Sequence, residues 1–199
     1  MTSPFAEIIS EKTLYSGFNI LKEYDIKVQS LKDQSISLPP MNREVLHCTD
    51  SIAVLIYVKS ADSFLLCQQF RTGVFFNAEE RNPYILEIPA GMVDTGYTPE
   101  QTAIKEVEEE TGVKIDSVEC FSLSYASTGR ITEKTWFYYA ELDQAPETGI
   151  FGNEEESEDI KTHLISRTKA YEMLAKLDIV HAPTISALYW YKAEKDKMI

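Results

Sequence analysis

The chain has 199 residues, of which 32 are acidic and 19 basic, so its formal charge is −13 with histidine neutral. Hydrophobic residues make up 44% and charged residues 26%, a globular composition that excludes a disordered chain and suits one domain with a small appendage. The acidity speaks against nucleic-acid polymers and anionic membranes, which need clustered Lys and Arg, yet it leaves room for a site that gathers divalent cations.

Residues 1–50 show only short amphipathic pieces, near 13–20 and 24–28, before a turn at Pro39-Pro40. They read as a small N-terminal β appendage, and residues 51–199 as the main domain. The longest apolar run, 52–58, is far short of the roughly 20 residues of a membrane span. With 63–70 it predicts two strands joined by the polar turn 59–62. Residues 84–88 form a further short strand that ends at Pro89-Ala90-Gly91. The clearest helix starts at Thr98, with Pro99 in its first turn and Gln101 completing a capping box, and stops at Gly112. Strands over 118–125, 134–142 and 160–165 follow, then helices over 167–176 and 183–195. The fold class expected is α/β (α+β), a mixed domain built on a substantial sheet with helices late in the chain. The N-terminus has no basic segment before an apolar stretch, so no secretory signal is expected. Cys48, Cys67 and Cys120 are odd in number and lack CxxC spacing, which points to a reducing cytoplasm.

Chemistry concentrates on the helix after Thr98. At about 100° per residue, Glu106, Glu109 and Glu110 share one stripe, beside an apolar stripe of Ala103, Ile104 and Val107. Three carboxylates so placed repel one another unless a cation lies between them, and hard oxygen donors suit Mg²⁺ or Mn²⁺ better than zinc. A solvated acidic helix face is the alternative.

The surrounding pattern decides between the two. Gly91, five residues, Tyr97, seven residues, then Lys105-Glu106-Val107, one residue, Glu109-Glu110, one residue, Gly112-Val113 strongly resembles the Nudix box. Both glycines, the three ligand-type glutamates and both aliphatic positions match. Tyr97 stands where that family has Glu, and Lys105 where it has Arg. Those two support each other in the family, so their joint change reads as a rebuilt support behind the metal face.

The resemblance implies the Nudix fold, a mixed sheet sandwiched between helices, and reaches over about residues 12–192. Glu87-Ile88-Pro89-Ala90-Gly91 and Gln68-Gln69-Phe70-Arg71 are similar to segments of the ADP-ribose pyrophosphatase and nucleoside-diphosphate-sugar hydrolase branch. It implies that Glu106, Glu109, Glu110 and the Ala90 carbonyl hold Mg²⁺, for which Mn²⁺ can substitute. It further implies that Arg71, Glu87 and Arg130 bind substrate, with a surface salt bridge the alternative for Arg71 and an ordinary hairpin turn the alternative for 125–130, and that a loop carboxylate acts on the attacking water. That carboxylate is Glu156 first and Glu158 second. His163 and His181 read as surface or capping residues, and Tyr189-Trp190-Tyr191 as core or dimer packing.

The function implied is Mg²⁺-dependent hydrolysis of a nucleoside diphosphate sugar, foremost ADP-ribose to AMP and ribose 5-phosphate. UDP-glucose or GDP-mannose is the alternative within the branch, and a catalytically degenerate nucleotide-binding regulatory domain the alternative outside it. The resemblance also implies a homodimer with the N-terminal segment crossing to the partner.

Overall fold

The computed structural model describes residues 5–77, 82–153 and 157–196. The chain divides into two compact units, one formed by the first fifty residues with Ser124–Lys134, the other by Ser51–Leu123 with the remainder from Thr135.

The first unit holds β1 (Ala6–Ser16), β2 (Ile20–Val28) and β3 (Met41–His47) in an antiparallel sheet of order β1-β2-β3. The hairpin β1–β2 is far longer than the short pieces legible in the sequence. All eleven residues of β1 are exposed, so no buried face imposes the alternation that would reveal a strand. Its register also shifts between Ile8 and Ser10 and between Thr13 and Tyr15, breaking the period of two further.

The second unit is built on β4 (Ser51–Val58), β5 (Ser63–Phe70), a short turn of helix α1 (Thr72–Phe75), β6 (Tyr84–Glu87), β7 (Ala90–Met92), α2 (Pro99–Thr111), β8 (Glu119–Tyr125), β9 (Lys134–Leu142), β10 (Ile150–Phe151), β11 (Ile160–Ser166), α3 (Arg167–Ala175) and α4 (Ala182–Glu194). The sheet order is β10-β11-β5-β4-β9-β8, with β6 paired to β5 and β7 to β4. Strands β4 and β9 are parallel, while β4–β5 and β5–β11 are antiparallel, so the sheet is mixed.

Strand β4 explains the layering. Ala53, Leu55 and Tyr57 pack on one side with Ala170 of α3 and Ala187, Leu188 and Tyr191 of α4. Ile52, Val54, Ile56 and Val58 pack on the other with Ala103 and Val107 of α2. A strand covered on both faces becomes a continuous apolar run, as 52–58 does. Trp190 stacks on Phe121 at 3.8 Å between ring centroids, and Tyr191 is buried, whereas Tyr189 points outward with 53% exposure. Among the described residues, no helix is long and apolar enough to cross a membrane.

Candidate active site

Helix α2 starts where its caps require. The Thr98 hydroxyl accepts the Gln101 N–H at 3.2 Å, and the Gln101 side chain accepts the Thr98 N–H at 2.9 Å. Such a cap contributes about 1 kcal/mol. Gly112 closes the helix at φ 69°, in the left-handed region. The buried Ala103 and Val107 then fix the helix rotation, and the glutamate stripe is turned toward β7.

Three contacts define that stripe. Glu110 is fully buried, and its carboxylate accepts the Ala90 N–H at 3.1 Å and the Gln69 amide at 3.4 Å. Glu106 lies flat on Gly91, where a Cβ would stand 2.4 Å from its carboxyl carbon, so only glycine admits the carboxylate there. Glu109 accepts the Lys105 ammonium at 2.8 Å, and the same ammonium reaches Asp94 at 3.1 Å. The hydrogen bond to Glu109 is the main reason the Lys105 pKa is raised, with Asp94 adding to it.

Electrostatics show what this cluster lacks. Burial above all, with Glu109, Glu158 and Asp94 adding to it against the opposing pull of Lys105, raises the Glu106 carboxyl to about 7. Burial also holds Glu110 well above the usual carboxylate range, with Glu106 adding to it and the Ala90 N–H opposing. These are acids that would ionise readily only with more positive charge nearby. Among the described residues, no three acidic, His or Cys side chains already form a metal cage. The donor set nevertheless fits a hard divalent cation, being oxygen-only, short of positive charge, and cradled by a glycine.

Glu158 reaches this neighbourhood from the loop after β10. Its carboxylate accepts the Asn153 N–H at 3.3 Å, and its own N–H donates to the Asn153 carbonyl at 3.1 Å. Gly152, at φ 114°, lets the loop close, since a Cβ there would stand 3.0 Å from the Glu158 carbonyl oxygen. The Gly152 N–H donates to the Glu109 carbonyl at 3.1 Å, tying the loop to α2. Glu156, the other loop carboxylate expected from sequence, lies outside the described residues.

A second cluster stands at the ends of β5 and β6. Arg71 follows β5, and its Nε donates to Glu87 Oε1 at 2.7 Å. Glu87 is fully buried opposite Cys67, and its Oε2 has no hydrogen-bond partner among the described residues. Burial raises its pKa despite the opposing Arg71. His181 Nδ1 lies 3.4 Å from that oxygen and 2.9 Å from Thr184 Oγ1, which itself accepts the Ile88 N–H. The surface or capping role expected for His181 is therefore corrected. It occupies the residue before α4, but its side chain makes no cap bond and packs against a carboxylate 94 positions away in sequence. His163 bonds Gln68 Oε1 at 3.0 Å.

Burial, with Arg71 nearby, lowers the His181 pKa to about 4 from 6.5, so at neutral pH its contact with Glu87 is not an ion pair. A histidine held neutral by the fold contributes stability that is complete above pH 6.5 and is lost as pH falls toward 4. Compared with His181→Asn, the native chain is expected to lose roughly 2 kcal/mol more between pH 7 and pH 5. Urea denaturation at several pH values checks this, and parallel pH profiles for the two proteins would contradict it.

Arg130 belongs to the first unit, where it lines an open cleft of about 430 Å³ with Val45, Tyr125, Thr128, Ile131 and Lys134. The second unit brings together Arg71, Glu87, Ala90, Glu106, Glu109, Glu110 and Glu158. Sequence reasoning missed Asp94, His181 and Thr184. Asp94 lies in the run between Gly91 and the start of α2, and nothing in that run marks it as a partner for Lys105.

The chain is similar to several known proteins. A sequence model of the NUDIX domain matches residues 49–188. An ADP-ribose pyrophosphatase of Haemophilus influenzae is 36% identical over 186 residues, covering 92% of this chain and 84% of that protein. A GDP-mannose pyrophosphatase of Pectobacterium atrosepticum is 31% identical over 188 residues, covering 94% of each. The crystal structure of an ADP compounds hydrolase superposes with a TM-score of 0.70 at 18% identity, over 98% of this chain and 97% of that one. That last likeness is one of fold.

Proposed function

This chain belongs to the NUDIX family, and from that premise we propose that it hydrolyses the diphosphate bond of a nucleoside diphosphate sugar, with ADP-ribose as its foremost substrate. It is a Nudix pyrophosphatase. The observation that carries the reading is the desolvated glutamate stripe of α2 seated on Gly91, next to the Arg71–Glu87 pair. The preference for ADP-ribose is supported by the 36% identical relative of that name. A GDP-mannose substrate is the second reading, supported by a relative matched over 94% of both chains.

In this reading Glu106, Glu109, Glu110 and the Ala90 carbonyl hold Mg²⁺. When bound, Mg²⁺ supplies positive charge to the diphosphate and acidifies a water for attack on phosphorus. The chain's own groups do the rest. The Arg71 side chain is 37% exposed, so it can reach a phosphate oxygen while Glu87 fixes its orientation from behind. The Ala90 N–H holds Glu110 in place, leaving the Ala90 carbonyl as a fixed acceptor. Glu158, set at the stripe by the Gly152 turn, accepts the proton of the attacking water. In-line displacement then releases a phosphate monoester on each side of the cleaved bond.

Turnover of ADP-ribose, GDP-mannose and UDP-glucose, followed as phosphate monoester release with Mg²⁺ or EDTA, tests this. ADP-ribose should give AMP and ribose 5-phosphate, and EDTA should abolish it. Binding of these ligands without Mg²⁺-dependent turnover would instead favour the regulatory reading.

The same reading includes a homodimer formed through residues 1–50. Strand β1 has no buried residue, and Ile8, Ile9 and Tyr15 are 60%, 51% and 62% exposed, an apolar surface that a second copy would cover. Sedimentation of the full chain should give a dimer, and a monomer at micromolar concentration would overturn this part. The three cysteines are free, which supports the cytoplasm as its compartment.

A further inference from the structure

We propose that Asp94 is the positioning carboxylate of the metal site, holding the Lys105 ammonium and, through it, setting Glu109. The inference rests on the reading in which Glu109 binds a divalent cation. In the Nudix pattern this support comes from position 97, but Tyr97 carries no charge and is 51% exposed. The ammonium of Lys105 instead lies between Asp94 Oδ2 at 3.1 Å and Glu109 Oε2 at 2.8 Å.

Asp94 is itself held from two sides. Its N–H donates to the hydroxyl of Thr102 at 3.3 Å, and Thr102 is fully buried on α2. Its carbonyl accepts the Tyr97 N–H at 3.1 Å, closing a turn in which Gly96 takes a φ of 87°. The carboxylate is thus anchored to the same helix that carries Glu109.

The chemistry of lysine suits this arrangement. Arginine presents a planar fork that pairs with one carboxylate through two bonds, whereas an ammonium is a point charge whose three N–H groups can serve two carboxylates. A Lys105 with only Glu109 to pair with would compete with the cation for that carboxylate. A second carboxylate on the far side draws part of its charge away and fixes where it sits. Asp94 therefore acts on the cation through Lys105 without touching it.

Mn²⁺ binding to the full chain, followed by electron paramagnetic resonance of the free ion, tests the proposal without relying on turnover. Asp94→Asn should weaken Mn²⁺ binding by about tenfold or more, as loss of a supporting partner does. Glu108→Gln removes the same unit charge from the outer face of α2, where Glu108 pairs with Lys114 at 3.1 Å, and should change binding by less than about twofold. Glu109→Gln should weaken binding strongly. If Asp94→Asn matches Glu108→Gln while Glu109→Gln loses affinity, the proposal fails and the metal reading stands. If Glu109→Gln binds Mn²⁺ like the native chain, the metal reading itself fails. Thermal unfolding in EDTA should be nearly the same for Asp94→Asn as for the native chain, because the Asp94 side chain is 39% exposed. Asp94→Ser gives the same readout should the Asn variant not fold.

Discussion

Glu106→Gln is expected to lower Mg²⁺-dependent turnover by roughly 10²- to 10⁴-fold while raising the stability of the metal-free protein. Both effects follow from one charge. Among the described acids near the stripe, Glu106 is pushed to about 7 by burial and by Glu109, Glu158 and Asp94. Its folded pKa exceeds the unfolded value of 4.5, so the native state binds more protons between those limits and loses stability as pH rises through them. At pH 8 the ionised carboxylate costs up to about 3 kcal/mol in the absence of a cation. Glutamine removes that cost, keeps the shape that fits over Gly91, and removes the charge a cation needs. Steady-state kinetics with Mg²⁺ and denaturation in EDTA at pH 5 and pH 8 measure the two sides. A variant with native turnover would remove Glu106 from the metal site. A variant with no gain in metal-free stability at pH 8 would show that its charge is not held against the fold.

Arg71→Ala is expected to raise KM for a diphosphate substrate at least tenfold and to cost about 3 kcal/mol of stability at neutral pH. Glu87 is fully buried, its Oε2 is unpartnered among the described residues, and the histidine beside it is neutral at pH 7. Arg71 is thus the cation on which the ionised form of Glu87 depends. Without it the carboxyl takes a proton more readily, so the native state again binds the extra proton and the variant loses stability as pH rises. The deficit should accordingly be larger at pH 8 than at pH 5. Adding Glu87→Gln to Arg71→Ala should recover most of the stability, because no buried charge is left alone, but none of the substrate affinity. An unchanged KM would make Arg71 a structural partner of Glu87 only. A deficit insensitive to both pH and Glu87→Gln would place the lost stability elsewhere.

Local features were legible because their causes are local. The Thr98 cap, Pro99, the apolar pair Ala103 and Val107, and the Gly112 stop all lie within fifteen residues, and helix geometry alone aligns Glu106, Glu109 and Glu110. Strand β4 was legible for a different reason, since burial on both faces leaves an unbroken apolar run. Strand β1 was not, because none of its residues is buried and its register is interrupted twice. The substitutions at 97 and 105 were visible as a departure, but whether any carboxylate replaced the lost one depended on how the 94–97 turn folds back toward α2.

The amino-acid sequence by itself determined the family, the helix that carries the carboxylates, and the alignment of three of them on one face. All three are encoded in a contiguous stretch whose spacing converts directly into a helix face. Only the tertiary structure decided which groups stand behind that face. Asp94 meets Lys105 through a turn pinned by a buried threonine, and Glu87 meets His181, which lies nearly a hundred residues downstream. Such contacts are set by packing, which brings together polar groups that no local period relates. Desolvation then shifts the Glu87 carboxyl up and the His181 imidazole down, which their separation in sequence could not reveal.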